Sequence, residues 1–404
     1  MKSISKFIFI LLFIGVVLKA IKLLYTQNNM EYIALEEVYD WYYKAGFYGN
    51  FLVSVAAVLS FICYKKYFPN YIIVCYLVLI LLVTIASLKD FGTIIKPSNF
   101  YSVKGIGTYI NFGILFFVAN TSHFRKIIKL FYFISFALII AGLINLGKVG
   151  FGANRMEYLN AIRDFAVYLI WVFPFFLLQN EEDKKLNIAN IFAFLIIFIF
   201  ILSTGSRSYL AIYAIYIFAK FKAQLQSKNS ILVILSTVIL IVGAFFLFSN
   251  SGLSKVFEGA VNNLTERASE DSRSEQLEEF FSQYNINYLL QGVGPLGRWN
   301  WSHWPEPYYY LDNQFILLAW WAGLPTLLVY LFFLIKPITQ KAKTFYFENV
   351  NGLKLILILW VLACAGFAIY VGISSDPYYD FITLLIGLQT CNFTLMQHAD
   401  EDET

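Results

Sequence analysis

Apolar runs of bilayer-spanning length recur along this chain from its first residues to its last. A membrane-spanning helix needs about 20 mostly apolar residues. Twelve segments meet or approach that length: 6–24, 50–64, 70–88, 105–120, 129–147, 161–179, 187–204, 208–221, 230–248, 314–335, 354–372 and 378–396. Only 14% of the residues are charged, whereas average soluble proteins carry roughly 25%. The sequence therefore predicts an all-α polytopic membrane protein with about 12 transmembrane helices, organised as a single integral-membrane domain over residues 1–404.

The N-terminal run MKSISKFIFILLFIGVVL has the composition of a signal peptide, but no small-residue cleavage site follows it. We therefore predict an uncleaved first helix whose N-terminus lies inside. In the resulting topology the inner segments hold 16 of the 30 basic residues in about half the length of the outer segments, as the positive-inside rule expects. Both termini are then cytoplasmic. Lys19 and Lys22 fall near the outer end of the first span, where long side chains can snorkel to the interface.

Arginine is distributed differently from lysine. In this topology one of the seven arginines, Arg125, lies inside, and the other six lie outside: Arg155, Arg163, Arg207, Arg267, Arg273 and Arg298. A guanidinium group binds phosphate and carboxylate groups through two parallel hydrogen bonds. The sequence therefore predicts an outward-facing site for an anionic substrate.

Other classes of ligand have little support in the sequence. The net charge is +4 and no basic tract indicates nucleic acid binding. The four cysteines lie inside apolar segments, and their spacing indicates neither a disulfide framework nor a zinc site: Cys63, Cys75, Cys364 and Cys391. We predict no metal and no cofactor.

Arg207 lies in the junction Ser203-Thr204-Gly205-Ser206-Arg207-Ser208, between the seventh and eighth segments. The apolar run that follows it makes about 20 Å of helix, whereas the hydrocarbon core is about 30 Å thick. Arg207 is thus predicted below the outer surface of the membrane. Ser206 or Ser208 is a candidate cap of the eighth helix, and an arginine beside a helix N-terminus makes a phosphate site. The alternative is a boundary arginine that contacts lipid headgroups.

Residues 249–313 are predicted to form one long outer loop that carries short helices. Within it, Ser274–Tyr284 has apolar residues at helical spacing, which predicts a helix on the surface of the bundle or membrane. Arg273 precedes this stretch among acidic residues, so it either binds an anion or belongs to a solvated charged face. Arg155 and Arg163, on an earlier outer loop, are candidates for a basic rim that attracts anions.

The second half of the long loop is rich in glycine and aromatic residues. Gly292-Val293-Gly294 predicts a tight backbone turn shortly before Arg298. Aromatic rings are dense from Trp299 to Tyr310. Such rings stack on sugar faces and also populate membrane interfaces, and both interpretations stay open.

Three residues near the end of the loop are candidates for acid–base chemistry or for helix capping. His303 is a candidate general base, although a lone loop histidine is more often incidental. Asp312 and Asn313 directly precede the tenth segment, where their simplest role is to cap its helix. Asp312 is equally a candidate acceptor for the proton of a sugar hydroxyl.

These motifs, in this order, resemble the O-antigen polymerase/ligase family of bacterial membrane glycosyltransferases. The resemblance rests on the Ser203–Ser208 junction, on one long outer loop with Arg273 and the Gly292–Gly294 turn, and on Asp312-Asn313-Gln314-Phe315-Ile316-Leu317 leading to Trp321-Ala322-Gly323-Leu324. It covers roughly residues 190–335. It implies a helical, metal-independent, inverting glycosyltransferase that needs no cofactor. Its substrates would be glycans carried on undecaprenyl diphosphate at the periplasmic face of the bacterial inner membrane.

The resemblance also implies roles for individual residues. Family arginines that bind the lipid diphosphate match Arg207 and Arg273, and we add Arg298 as a third candidate. Ligases of the family carry a histidine before the asparagine at the end of the loop, where this chain has Asp312. This difference favours a polymerase that joins lipid-linked repeats into O-antigen or capsular polysaccharide. We expect Asp312 to be the first candidate base and His303 the second.

Three other functions stay open. A ligase that transfers glycan to lipid A-core has the same architecture and leaving group. A non-enzymatic flippase for lipid-linked oligosaccharides also has about twelve helices but would not need a long outer loop, and a non-catalytic scaffold would not need basic residues at membrane depth. The expected partners are the lipid-linked donor and acceptor and membrane lipid, with a chain-length regulator and a flippase as further candidates and no nucleic acid. Residues expected to support the site through caps and turns are Ser206, Ser208, Gly292, Gly294 and Asn313.

Overall fold

In the computed structural model the described residues are 2–28, 41–90, 92, 96–102, 104–149, 155–179, 188–204, 206–225, 272–303, 305–340, 350–367 and 376–393. They fall into two compact units. The first unit is formed by Met1–Lys22, Glu37–Phe131 and Asp271–Thr404, and the second by Leu23–Glu36 and Tyr132–Glu270. The ninth predicted segment (230–248), Arg267 and the start of the long loop (249–271) lie outside the described residues.

The described part of the chain is helical, with one isolated antiparallel bridge between Trp299 and Tyr308. The helices in chain order are α1 (Lys2–Asn28), α2 (Trp41–Tyr64), α3 (Asn70–Ser87), α4 (Pro97–Phe100), α5 (Ile106–Ile110), α6 (Thr121–Val149), α7 (Arg155–Gln179), α8 (Ile188–Thr204), α9 (Arg207–Leu225), α10 (Ser272–Gln283), α11 (Ile286–Gln291), α12 (Gln314–Ala322), α13 (Leu324–Thr339), α14 (Val350–Leu362) and α15 (Pro377–Thr390). Tighter 3₁₀ turns follow α2, α3 and α5, and a π-turn follows α14: Lys65–Tyr67, Leu88–Asp90, Asn111–Ala119 and Ala363–Phe367.

Five helices in the described ranges are long and apolar enough to cross a membrane: Ser3–Tyr25, Trp41–Tyr67, Asn70–Asp90, Thr121–Val149 and Ala161–Leu178. Four shorter apolar helices accompany them: Ile106–Ala119, Phe192–Thr204, Leu324–Thr339 and Asn351–Gly366. These helices support the prediction of an all-helical membrane protein. Eleven of the twelve predicted segments coincide at least in part with helices, while the count of about 12 spans stays a prediction.

Two of the predicted spans are not single regular α-helices. The tenth segment is divided at Gly323, whose φ of 91° ends α12, and Pro325 lies in the first turn of α13. The fourth segment is a short α-helix that tightens into a fully buried 3₁₀ stretch, Asn111–Ala119. Apolar content predicts burial, but glycine and hydrogen-bond geometry decide where a helix breaks.

Close helix contacts in the first unit depend on small residues. A Cβ at Gly15 would lie 2.9 Å from the Gly49 carbonyl oxygen, and a Cβ at Gly387 would lie 2.3 Å from the Leu115 carbonyl oxygen. Small residues allow helix backbones to approach in an apolar environment, where dispersion replaces the hydrophobic drive. These contacts pack α1 on α2 and α15 on the 3₁₀ stretch.

A buried ion pair joins α1 to α15. The Lys19 ammonium donates to Asp380 Oδ2, and both side chains are 1% exposed. Lys19 therefore does not snorkel to an interface, which corrects the expectation from sequence. The reason is that a carboxylate from a distant helix neutralises it, and an ion pair lowers the cost of burying charge.

Connections assigned to the same side of the membrane bond to one another in the first unit. Ser5 Oγ donates to Asn120 Oδ1 (2.9 Å), and the Tyr71 hydroxyl donates to Gln340 Oε1 (2.7 Å). All four residues lie in or beside segments predicted inside. The connection 89–104 and the long loop, both predicted outside, also bond to each other. This grouping agrees with the alternation of the predicted spans.

The second unit contains α7, α8, α9 and most of α6. The Tyr213 ring stacks on Phe194 with 4.3 Å between centroids, which packs α9 on α8. A Cβ at Gly142 would lie 2.4 Å from the Phe200 ring, so α6 and α8 also approach closely. Asn145 Nδ2 donates to the Ala161 carbonyl at 2.9 Å and fixes α6 against α7.

Candidate functional site

Helix α10 confirms the helix predicted over Ser274–Tyr284 and packs within the first unit through one buried ring. Phe280 is fully buried and makes edge contacts with Trp299 (5.6 Å between centroids) and Trp320 (5.5 Å). Phe281, the next residue, is turned away from this contact and is 47% exposed. The helical spacing therefore marked a helix on the bundle surface with one face buried.

In the segment Arg298–Ser302 every second residue bonds to α10 or to Tyr284 just after it, as expected for extended backbone. The Tyr284 hydroxyl donates to the Arg298 carbonyl (2.6 Å), and the Asn300 amide donates to Gln283 Oε1 (2.9 Å). The Ser302 amide donates to Glu279 Oε2 (3.1 Å), and hydrogen bonds from the Ser302 hydroxyl and amide hold the pKa of Glu279 below its usual range. Helix α10 thus fixes the backbone that carries Arg298.

The other edge of this segment pairs with Tyr308. The Trp299 amide donates to the Tyr308 carbonyl at 2.8 Å, and the Trp299 ring nitrogen donates to the Tyr310 carbonyl at 3.1 Å. Trp299 is 2% exposed, whereas Tyr309 is 62% exposed. The aromatic stretch therefore divides into buried rings that build the loop and an exposed ring that is open to a ligand or to lipid.

The predicted glycine turn is confirmed. Gly292 and Gly294 have φ values of 70° and 96°, a region that glycine adopts without strain. The Val293 amide donates to the Trp320 carbonyl at 2.7 Å, and the Gly294 amide donates to the Trp321 carbonyl at 3.0 Å. The turn satisfies carbonyls at the end of α12, which are otherwise without partners at a helix terminus.

The connection after α3 also bonds to the backbone of this turn. Lys89 Nζ donates to the Gly292 carbonyl at 2.5 Å, and Asp90 Oδ2 accepts from the Leu296 amide at 3.1 Å. Lys104, just before α5, donates to the Gly297 carbonyl at 3.2 Å.

Asn313 caps α12. Its Oδ1 accepts from the Phe315 and Ile316 amides, both at 3.1 Å, and its Nδ2 donates to the Ala365 carbonyl at 2.8 Å. The capping role that sequence left open for two residues therefore belongs to Asn313. Asp312 is half-buried, and its amide donates to Gln276 Oε1 at 2.9 Å.

His303 lies on the solvent side of α10. Its Nε2 is 3.7 Å from Glu275 Oε2, and the two side chains are 61% and 66% exposed. The Trp301 ring makes an edge contact with the imidazole at 5.6 Å. A carboxylate beside a histidine can orient the ring.

Of the residues predicted from sequence, Arg273 lies in the first turn of α10, and His303 and Asp312 contact the residues that follow it. Arg273 is the second residue of this helix, Glu275 contacts His303, and Gln276 binds Asp312. Arg298 is bound at the other end, through Tyr284, and 11 residues of helix separate Tyr284 from Arg273, or about 16 Å. The described loop therefore brings His303 and Asp312 to the first turns of α10, the helix in which Arg273 lies, and holds the backbone of Arg298 at the other end of this helix.

Arg207 belongs to the second unit. It is the first residue of α9, and its side chain is exposed. The Ser206 carbonyl accepts from the Leu210 amide at 3.1 Å, so Ser206 occupies the capping position predicted for Ser206 or Ser208. Helix α9 extends to Leu225, beyond the predicted end of the eighth segment.

Arg155 and Arg163 were expected on an outer loop, and this placement is wrong. Both lie within α7, which begins at Arg155. Arg163 Nε is 3.0 Å from the neighbouring Asp164 carboxylate, so Arg163 is paired within its own helix. Asp164 directly follows Arg163 in the sequence, so this pairing could have been predicted. The helical pattern of the sixth segment also extends back to Arg155.

Lys104 was not among the candidate site residues indicated by sequence patterns. It is 7% exposed, and its ammonium lies 4.6 Å from the centroid of the Trp320 ring. Burial, together with the nearby Arg298 guanidinium, lowers its pKa to about 7, while Asp90 acts in the opposite direction. The connection 89–104 contains three lysines, Lys89, Lys96 and Lys104. It is predicted on the outer side, where lysine is not expected, and this excess of lysine could have indicated a role for Lys104.

Among the described residues, no group of three or more His, Cys, Asp or Glu side chains is arranged to hold a metal ion. No family model, curated protein or solved structure matches the chain.

Proposed function

We propose that the protein polymerises oligosaccharide repeats that are linked to undecaprenyl diphosphate. The observation that carries the proposal is the first part of α10, the helix that contains Arg273, which contacts His303 through Glu275 and the backbone of the half-buried Asp312 through Gln276. A transfer from a diphosphate needs a cation for the leaving group and a base for the acceptor, and these residue types provide both.

In the proposed reaction the acceptor is a terminal sugar hydroxyl of one lipid-linked repeat. Its oxygen attacks the anomeric carbon of the donor glycan, a new C–O bond forms, and the bond to the diphosphate oxygen breaks. The electron pair leaves with undecaprenyl diphosphate. Arg273 neutralises the charge that develops on this leaving group, because arginine binds two phosphate oxygens at once.

Asp312 accepts the proton of the attacking hydroxyl. Its backbone is fixed on one side by Gln276 and on the other by the Asn313 cap, so its carboxylate is attached to a rigid frame. A base must lie within hydrogen-bond reach of the proton that it removes, and rigidity preserves that geometry. His303, held beside Glu275, is the second candidate base.

The proposal is tested by deleting the gene and complementing it with variants, with the glycan length resolved on a lipopolysaccharide gel. Loss of the wild-type protein should leave core plus one repeat, and Asp312→Asn should fail to restore the ladder. The matched control is Glu306→Gln, which changes an exposed carboxylate in the same loop and should restore the full ladder.

Three results would contradict parts of the proposal. Loss of every rung, with long glycan accumulating on undecaprenyl diphosphate, would identify a ligase. A full ladder with Asp312→Asn would remove Asp312 as the base, and loss of the ladder with His303→Gln would then assign the proton transfer to His303. An unchanged ladder together with unchanged capsular polysaccharide after gene deletion would exclude the polymerase function.

A further inference from the structure

Lys104 and Arg298 form a concentration of positive charge at the glycine turn. Lys104 donates to the Gly297 carbonyl of the turn, and Arg298 directly follows Gly297 in the chain. An ammonium group has three N–H donors, of which the Gly297 carbonyl takes one. Lys89 adds a further positive charge on the carbonyl of Gly292, at the start of the same turn.

The guanidinium of Arg298 is open to a ligand. Its side chain is exposed, and within the described ranges it makes no hydrogen bond and no ion pair. The Asp90 carboxylate accepts the Leu296 amide and offsets part of the charge on Lys104. Like charges repel unless an anion lies between them, so this cluster favours an anionic ligand.

Exposed apolar side chains lie beside the charged cluster. Leu296 is 46% exposed, two residues before Arg298, and Tyr288 and Leu290 of α11 are 48% and 44% exposed. The Tyr288 ring lies 5.2 Å from the ring of Tyr284, whose hydroxyl binds the Arg298 backbone. An apolar strip that adjoins a cationic group fits an amphiphilic anion.

We propose that Lys104 and Arg298 form a second lipid-diphosphate site, with the polyprenyl chain lying along Leu296 and α11. The proposal rests on the proposed function in one respect: polymerisation joins two lipid-linked substrates, and the Arg273 end of α10 takes only the donor. Arg298 binds two diphosphate oxygens, and Lys104 contributes positive charge from the buried side of the glycine turn. The site at Arg298 therefore takes the diphosphate of the acceptor.

The test is calorimetric titration of the purified full-length protein in detergent at constant ionic strength. The probes are geranyl diphosphate, inorganic pyrophosphate, geraniol and phosphatidylglycerol. Wild-type protein should bind geranyl diphosphate at two sites and more tightly than pyrophosphate, and it should not bind geraniol. Arg298→Gln should weaken one site by about tenfold or more, because a charge-assisted bidentate contact is lost.

Two further variants separate charge from folding. Lys104→Arg should keep the second site, whereas Lys104→Met should lose it. Arg298→Gln changes an exposed side chain and leaves the core intact, so the test does not depend on whether Lys104→Met folds. The matched control is Arg125→Gln, an exposed arginine near the N-terminus of α6, which should bind like the wild type.

Each result decides between the two proposals. Two-site binding that Arg298→Gln leaves unchanged overturns the second site, and phosphatidylglycerol that competes as well as geranyl diphosphate overturns its assignment to a lipid diphosphate. If Arg298→Gln loses one site but wild-type protein never lengthens lipid-linked repeats, the second site stands and the polymerase function fails. If wild-type protein lengthens repeats and Arg298→Gln does so equally well, the polymerase stands and the acceptor site is wrong.

Discussion

Removal of either partner of the Lys19–Asp380 ion pair should destabilise the first unit. Both side chains are 1% exposed, so Lys19→Met leaves the Asp380 carboxylate buried without its counterion. Asp380 Oδ1 has no hydrogen-bond partner in the described structure, so no second contact compensates. Removing one partner of a buried pair costs roughly 3–5 kcal/mol. With about 2 °C of melting temperature per kcal/mol for a large chain, the expected loss is roughly 6–10 °C.

The assay is thermal unfolding of the detergent-purified protein, followed by tryptophan fluorescence. The matched control is Lys6→Met, which changes an exposed lysine of the same helix and should leave the melting temperature unchanged. The double variant Lys19→Met with Asp380→Leu removes both charges and should recover most of the loss, because an apolar pair of similar volume replaces a buried ion pair well. A single variant as stable as wild type, or a double variant no better than the single, would refute the reasoning.

Four other substitutions or conditions test separate parts of the structure. Gly292→Ala places a Cβ 2.7 Å from the Gly323 nitrogen at a φ of 70°, so it should cost about 1–3 kcal/mol of stability, and an unchanged melting temperature would contradict the strain. If Arg207 binds the lipid diphosphate, as the family resemblance implies, Arg207→Lys should lower polymer formation at least about tenfold at normal expression, because the bidentate fork is lost; near-normal polymer from Arg207→Ala would remove Arg207 from diphosphate binding. Asn313→Ala should cost about 1 kcal/mol in thermal unfolding and Asn313→Ser much less, because serine also caps helices. Above pH 7, where the diphosphate is already ionised, the affinity of the second site for geranyl diphosphate should fall by up to tenfold per pH unit, because free Lys104 has a pKa of about 7 and the bound anion raises that value; an equal fall in the Lys104→Arg protein over this range would contradict the linkage.

Local patterns predicted the elements that local physics determines. The helical spacing of Phe280 and its neighbours predicted α10, and the closely spaced glycines Gly292 and Gly294 predicted the turn with positive φ. Apolar runs likewise located the long helices. In each case the signal lies within one or two turns of the chain, so no distant contact is needed to interpret it.

Contacts between distant residues were not predictable in this way. Lys19 and Asp380 are 361 residues apart, and sequence alone suggested only that Lys19 would reach the interface. The burial of Lys104 depends on Trp320 and on the Gly297 carbonyl, both far along the chain. A buried charge is stable only where another element supplies its partner, and that partner is set by tertiary packing.

The most direct measurement is the extension of lipid-linked repeats by the purified protein in lipid nanodiscs. The substrate is a single repeat unit on undecaprenyl diphosphate, with product length and released undecaprenyl diphosphate both followed by mass spectrometry. The account predicts a ladder of glycans on one lipid and one undecaprenyl diphosphate released for each new glycosidic bond. Intact single repeats with no release, under conditions where the protein stays folded, would contradict the polymerase function, and transfer only after lipid A-core is added would identify a ligase.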